Sequence, residues 1–378
     1  MNDYITALLI AIWAAFALHV LLVWGQAWLS GQRARRSISP NSALSDTPFV
    51  SILIPAWKER TTLEATLRAL QQLSYPKWEA IVIAGGPDGT EAFARQLCQQ
   101  WLHIRVIAQP PSGKNAAFNL GYREAQGEII VLLDADCIVT PDWLTQLVAV
   151  FEQGAMASLA NYLPTDRTWV SAQFEMEKIS VYEVHEATTL HGGGIAVRRD
   201  VIEQLGGFPE DITVGVDWDF DQRVTKLGVK KAFVQDARHT TLLPATLKKY
   251  FHDEIRWRRA HLHSTAHFFN GTVAGLLTTV NSLSFYLIGI LFFAMPFISI
   301  LLSSLSPLLI YCWPAFWAWV LLRRIGLVIE VFSYTRDWSW WGRIWTPPAL
   351  LVVSFLSALI ALLTVKKRVI FFQGPRPQ

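Results

Sequence analysis

The chain has 378 residues, 52% hydrophobic and only 17% charged, with a formal net charge of +3. That length has room for two domains. The apolar excess excludes an ordinary soluble protein, and the near-balanced charge gives no basic footprint for nucleic acid.

In chain order, Tyr4 to Gln32 contains no Asp, Glu, Lys or Arg, which reads as a membrane span over roughly 4–29. A secretory signal is disfavoured because the run is too long, has no basic leader and shows no small-residue cleavage site. Arg33, Arg35 and Arg36 follow, in a short basic and Ser/Pro-rich linker. Strands and helices then alternate. Strands are expected at Phe49–Ile54, Glu79–Ala84, Ile104–Ala108 and Ile129–Leu133, with helices at Glu59–Leu73, Glu91–Trp101 and Asn115–Ala125. Pro141 reads as a first-turn residue with Thr140 as its cap. This alternation implies a mostly parallel sheet with helices on both faces. Trp169–Glu186 reads as a further helix, and Gly192–Gly194 as a tight segment leading into Ile195–Val197.

Residues 246–269 form an amphipathic stretch rich in Arg, His and aromatics, which suits a helix in the membrane interface. From Ala260 to Leu322 there is again no charge, and 347–365 is a third uncharged apolar stretch. Pro296, Pro307 and Pro314 mark breaks, with spans expected near 275–302 and 306–322, and a Trp-rich belt at 334–346. The basic borders, Arg33, Arg35 and Arg36 and then Lys366, Lys367 and Arg368, place 31–270 in the cytoplasm. A conflict follows: three spans after that domain would put the Lys-Lys-Arg cluster outside. The expected organisation is an N-terminal transmembrane helix (1–30), a basic linker (31–48), an α/β domain (49–245), an interfacial helix (246–270), a C-terminal region of two to three spans (271–365) and a basic tail (366–378). There is no internal repeat. Cys98, Cys137 and Cys312 lack metal-ligand spacing and fit a reducing compartment.

Chemistry concentrates at Asp134-Ala135-Asp136. Two carboxylates ending a buried apolar strand deliver negative charge to the mouth of a sheet, where ligands of open α/β folds bind. Hard oxygens there suit Mg2+ or Mn2+ that also touches phosphate. Lys114 lies on a turn before a helix, where a cation and backbone N–H groups can meet phosphates.

Six segments in order, VSILIPAWKE, EAIVIAGGPDGT, PPSGKNAAFNLGYREAQGEIIVLLDADC, GGGIAVRRDVIEQLGGF, VDWDFDQRV and IRW, resemble the membrane-integrated family 2 glycosyltransferases. Their cellulose-synthase-like, hyaluronan-synthase-like and ceramide-glucosyltransferase-like groups share a GT-A catalytic domain. The resemblance covers about Pro48 to Trp257. It implies a Rossmann-like α/β domain with N- and C-terminal transmembrane helices, in the cell (inner) membrane with the catalytic domain cytoplasmic. It also implies a nucleotide-sugar donor, with UDP as the expected nucleotide, a lipid or glycan acceptor, and inversion at the anomeric carbon.

By this resemblance, Asp136 and Asp134 hold the metal, with Asp134 nearer the ribose. Glu59, Asp88, Lys114 and Arg256 face the nucleotide sugar. Asp217 is the catalytic base, and Gly193, Gly194, Asp219 and Trp257 serve the acceptor. Three departures stand out. Val216 replaces the family's Glu before Asp217. Asp253 replaces the Gln of the Gln-x-x-Arg-Trp motif that accompanies polymerising members. Ala84-Gly85-Gly86-Pro87 replaces the segment whose Asp contacts uracil, leaving Asp88 either to substitute or to shape the turn. Asp221 reads as a surface acid. A processive polysaccharide synthase and a catalytically silent scaffold are the competing readings.

Overall fold

A computed structural model describes residues 2–36, 47–212, 215–268 and 273–364. Most of the expected basic linker and the whole basic tail, with Lys366, Lys367 and Arg368, lie outside the described residues. The chain divides into two compact units.

The first unit is built on one eight-stranded sheet. Its strands are β1 (Val50–Trp57), β2 (Trp78–Gly85), β3 (Ile104–Ala108), β4 (Ile129–Leu132), β5 (Ile138–Val139), β6 (Ala157–Pro164), β7 (Ile195–Arg198) and β8 (Lys231–Thr241). They lie in the order β3-β2-β1-β4-β7-β6-β8-β5. The pairings β1–β2, β2–β3, β1–β4 and β6–β8 are parallel, whereas β4–β7, β6–β7 and β5–β8 are antiparallel. The chain first winds from β1 out to β3, then returns to place β4 on the other flank of β1. That reversal opens a crevice beyond the carboxyl ends of β1 and β4.

Helix Leu63–Leu70 buries Leu63, Leu67 and Leu70 against Val50, Ile52 and Ile54 on one face. Helix Lys114–Glu124 covers the other, where Gly121 permits close approach: a Cβ there would lie 3.2 Å from Leu53 Cδ2. The core is thus two-sided, as buried parallel strands require.

The expected alternation holds, with different ends. The first helix is shorter than Glu59–Leu73 because residues 59–62 form a turn closed on the Glu59 carbonyl. Thr140 is not a cap. Its Oγ1 donates to the Arg238 carbonyl at 3.2 Å, because the β5–β8 pairing draws it to the sheet, and the helix begins instead at Trp143.

The turn that feeds β4 is pinned by a buried polar network. Ser51 Oγ donates to Glu79 Oε1 at 2.7 Å and accepts from Gly127 N at 2.7 Å and Gln126 N at 3.1 Å. Arg105 Nη2 closes the network on Glu79 Oε2 at 2.8 Å.

The second unit gathers helices, most of them apolar. They are Asn2–Arg36, Leu247–Phe268, Val273–Leu302, Cys312–Leu322, Ile325–Thr335 and Thr346–Leu363, with 3-10 turns at Pro307–Tyr311 and Trp338–Arg343. The first helix runs past the expected end at residue 30, and Pro296 lies inside its helix without ending it. Among the described residues, Tyr4–Ala34, Leu283–Leu302 and Thr346–Leu363 are long and apolar enough to cross a membrane.

Arg167–His185 belongs to this unit as well, which corrects its expected place in the catalytic domain. It forms helix Ser171–Lys178 and then a wide π-type turn, Ile179–Val184, rather than one helix. Ala172, Met176 and Ile179 pack with Val328, Val331 and Trp340. Buried Glu330 accepts from Ser180 Oγ at 2.5 Å and meets His185 Nε2 at 2.9 Å. That partnership explains an acid in an otherwise apolar helix.

Replacing Ser51 by Ala strands the buried Gly127 N–H, whereas Gln126 N keeps its bond to Glu79 Oε1 at 2.8 Å, and is expected to cost about 1–3 kcal/mol. Chemical denaturation of wild-type and Ser51→Ala protein checks this.

Candidate functional site

The loop after β4 carries Asp134 and Asp136, and the loop after β1 carries Lys58 and Glu59. Both lie at the point where the strand order reverses. Lys114, the first residue of its helix, follows Gly113 at φ 94°. Its Nζ lies 2.5 Å from Asp134 Oδ1. Burial opposes the charge on Lys114, but the Asp134 carboxylate at contact, with Asp217 beyond it, outweighs burial and raises the ammonium above its ordinary value.

Asp217 lies in the first turn of helix Val216–Lys226. Its Oδ2 accepts from Gly192 N at 2.8 Å and its Oδ1 from Trp218 N at 3.0 Å. Lys114, Asp134, Gly192, Val216 and Asp217 line one cleft with Asn115, Phe118 and Phe208.

The glycine run is shaped by contact. A Cβ on Gly193 would lie 3.0 Å from Cys137 Sγ and 3.2 Å from Asp134 N. Gly194, at φ 82°, would place one 2.9 Å from His239 Cε1. Only glycine fits this approach. The glycine segment therefore touches the Asp134 loop on one side and holds Asp217 on the other.

Asp136 is buried. Thr241 Oγ1, at the end of β8, donates to its Oδ1 at 3.3 Å. Cys137 Sγ is 4.0 Å from the same oxygen, and burial, with Asp136 and Asp134 adding negative charge, pushes its thiol well above the ordinary range. Among the described residues no three His, Cys, Asp or Glu are grouped to hold an ion by themselves. Two carboxylates without a complete cage fit Mg2+ or Mn2+, which completes its shell from substrate phosphates.

The remaining expected residues divide. The Glu59 and Asp88 loops are joined through Thr90: its Oγ1 accepts from Glu59 N at 3.0 Å and donates to Asp88 Oδ1 at 2.8 Å. Glu59 Oε2 also accepts from Thr62 Oγ1 at 2.6 Å. The Asp88 carboxylate accepts from Thr90 N at 3.2 Å and Arg60 N at 3.4 Å as well, so it shapes the turn. Asp219 Oδ2 is buried with no hydrogen-bond partner among the described residues. Burial pushes its carboxyl up, against the pull of nearby Arg223.

Arg256 and Trp257 belong to the other unit. There Arg256 Nη2 meets Asp253 Oδ1 at 3.3 Å, and Trp257 packs edge-on against Phe174.

Asp221 is not a surface acid. It is buried, accepts from Leu190 N at 2.8 Å and pairs with Lys231 Nζ at 2.6 Å, which anchors the chain leading to the glycine run. Thr241, Thr90 and Asn115 were not visible as site residues in the sequence. For Asn115 there was a usable signal: it and Asn119 are one helical turn apart, facing the same way, and they bond the Pro209 and Phe208 carbonyls.

Comparison with known proteins places the chain among glycosyl transferases. Residues 51–206 match glycosyl transferase family 2, and residues 129–356 match glycosyl transferase family group 2. A probable glycosyltransferase of Bacillus subtilis is 28% identical over 273 residues, covering 66% of this chain and 64% of the relative. A beta-monoglucosyldiacylglycerol synthase of Trichormus variabilis is 28% identical over 232 residues, covering 56% and 48%. The chain thus spans roughly half to two thirds of the length of such curated relatives. A mannosyltransferase of Pyrobaculum calidifontis, solved in complex with GDP-Man and Mn2+, shares the fold at TM-score 0.62 and 20% identity, covering 92% of this chain and 98% of that one.

Because burial raises the Asp219 carboxyl, the folded state is penalised when that group ionises. Asp219→Asn is expected to raise the melting temperature at pH 7. The gain should shrink as pH falls through the carboxylate range and vanish below about pH 3, measured by thermal unfolding of both proteins across pH.

Proposed function

This chain belongs to the glycosyl transferase family group 2, and we propose that it is an inverting, metal-dependent transferase that moves a sugar from a nucleoside-diphosphate donor to a hydroxyl of a membrane lipid. The observation that carries the proposal is the cleft itself. It combines a lysine–aspartate pair, a glycine run and a second, separately anchored aspartate at a sheet's reversal point, with a buried acid, Asp136, two residues beyond Asp134.

Asp136, supported by Thr241, and Asp134 are the groups to hold a divalent cation, which when bound neutralises charge on the departing diphosphate. Lys114 adds a fixed positive charge beside it at the start of a helix, whose backbone N–H groups also favour phosphate. Asp217 accepts the proton from the acceptor hydroxyl as its oxygen attacks the anomeric carbon. The bonds from Gly192 N and Trp218 N hold both its oxygens in place, so its orientation is set before the acceptor arrives. Attack opposite the leaving group inverts the anomeric configuration. The glycines leave the backbone bare where a sugar must approach closely.

UDP is the expected donor nucleotide, and competition between UDP and GDP decides it. The lipid acceptor is supported by the apolar helices and by the name of the Trichormus relative. Arg33, Arg35 and Arg36 after the first apolar helix support a cytoplasmic catalytic face of the cell membrane. Asp253, buried and paired with Lys249 and Arg256, supports single transfer over polymerisation.

Asp136→Ala is expected to abolish sugar transfer to a membrane lipid fraction supplied with labelled nucleotide sugars and Mn2+; full activity would refute the mechanism. Asp217→Asn is expected to lower kcat by ~10²–10⁴ with donor binding kept, as read by turnover and calorimetry together. Thr241→Val is expected to weaken Mn2+-dependent nucleotide binding by ~10-fold or more, measured by titrating Mn2+ at fixed nucleoside diphosphate.

A further inference from the structure

The helix Thr346–Leu363 has the length and composition of a membrane span. Its neighbours are those of a helix lying flat. Helix Leu247–Phe268 runs beside it. Ser354 Oγ is 2.8 Å from Tyr250 Oη, Ser357 Oγ donates to the Phe251 carbonyl at 3.5 Å, and Arg259 Nη2 donates to Thr364 Oγ1 at 2.7 Å. Leu350 packs on Tyr250 at the other end. The contacts advance together along both chains, so the axes lie side by side. Between Lys248 and Arg259 that partner carries seven Lys, Arg, Asp or Glu residues. Such a segment cannot cross hydrocarbon, and a helix tied to it at both ends shares its depth.

The depth is fixed by a third helix. The Arg258 guanidinium lies over the Phe285 ring, 4.0 Å from its centroid, and Tyr286 Oη donates to the Arg258 carbonyl at 3.1 Å. Both aromatics are at the start of the apolar stretch Leu283–Leu302. Phe355 packs against Phe285 at that same end and reaches Phe292, midway along the stretch.

The return crossing is made elsewhere. Trp317 stacks on Phe292 at 4.6 Å, Trp319 on Phe16 at 5.0 Å, and Trp24 Nε1 donates to the Leu322 carbonyl at 2.9 Å. The five-residue 3-10 turn from Pro307 and the eleven-residue helix to Leu322 together span about 27 Å, close to the ~30 Å of a hydrocarbon core. Arg323 and Arg324 follow directly, level with Trp24.

We infer that the chain crosses the membrane three times, through the first helix, Leu283–Leu302 and Pro307–Leu322. The paired helices 247–262 and 346–363 then form an in-plane platform docked on the lipid headgroup boundary, on the side where the first helix ends. Leu356 and Leu363, exposed on the platform, enter the acyl layer. This arrangement removes the charge conflict in the sequence. With three crossings, Lys366, Lys367 and Arg368 fall on the same side as Arg33, Arg35 and Arg36, as basic flanks do.

The test is parity of sidedness, read without turnover, so its outcome is separate from that of the transferase reading. Single cysteines are placed by Ser304→Cys, by Gly342→Cys, where an added side chain meets nothing within 4 Å, and by Gln378→Cys. Each is labelled with a membrane-impermeant maleimide in sealed vesicles of either orientation, with the parent's labelling subtracted. The expected result is that 342 and 378 label from one face and 304 from the other. Labelling of 342 and 378 from opposite faces overturns the inference, as does labelling of 304 and 342 from the same face. Topology reporters fused after Arg343 and after Gln378 leave the preceding sequence intact. They should agree in sidedness, and disagreement between them overturns the inference equally.

Discussion

The parallel pairing of β1 with β4 is the contact on which the catalytic unit turns. Val50 to Leu53 lie in register with Ile129 to Leu132, so both strands end at one edge and release Lys58-Glu59 and Asp134-Ala135-Asp136 there. A slip of one residue would reverse every side chain between the two faces of the sheet. The Ser51–Glu79 network prevents this by tying the turn before β4 to the bodies of β1 and β2. The position of the acids is therefore a property of sheet register, enforced by buried hydrogen bonds some distance from the cleft.

From that edge the site is assembled by backbone contact more than by side-chain pairing. Gly193 packs directly on the Asp134 backbone and Gly192 N holds Asp217, so a segment with no side chains of its own sets the spacing between these two acids. Asp221 and Lys231 brace the same segment from behind through Leu190 N. A buried ion pair of this kind is weak evidence for stability. Here it fixes the geometry of a loop that glycine alone would leave free. Lys114 and Asp134 satisfy each other's charge within the cleft, so neither is left as an unpaired buried charge.

The apolar unit follows a different logic. Its aromatic and small residues pack helix on helix: Phe292 stacks on Trp317, and Gly326 admits Val23 closely. Its charged groups are collected with partners, as in Glu330 with Ser180 and His185. Hydropathy alone ranks Thr346–Leu363 with the spans, but the charged helix bound along its length outweighs that ranking, because two packed helices share one environment.

Much of this was legible in the residues. Short apolar runs punctuated by Gly and Pro gave β1 to β4, since strand and helix periodicity is a local property of the chain. An acid pair ending such a run marked the candidate site, and long uncharged stretches marked helices long and apolar enough to cross a membrane. Ordered motifs identified the family. Three features were not legible: that Asp221 is interior, that Thr241 supports Asp136, and that Arg167–His185 packs with the apolar helices. Each depends on which distant segment arrives beside it, as Thr241 arrives from 105 positions beyond Asp136. Composition and spacing record what a residue can do. Long-range register decides what it meets, and burial and hydrogen bonding then select among its uses.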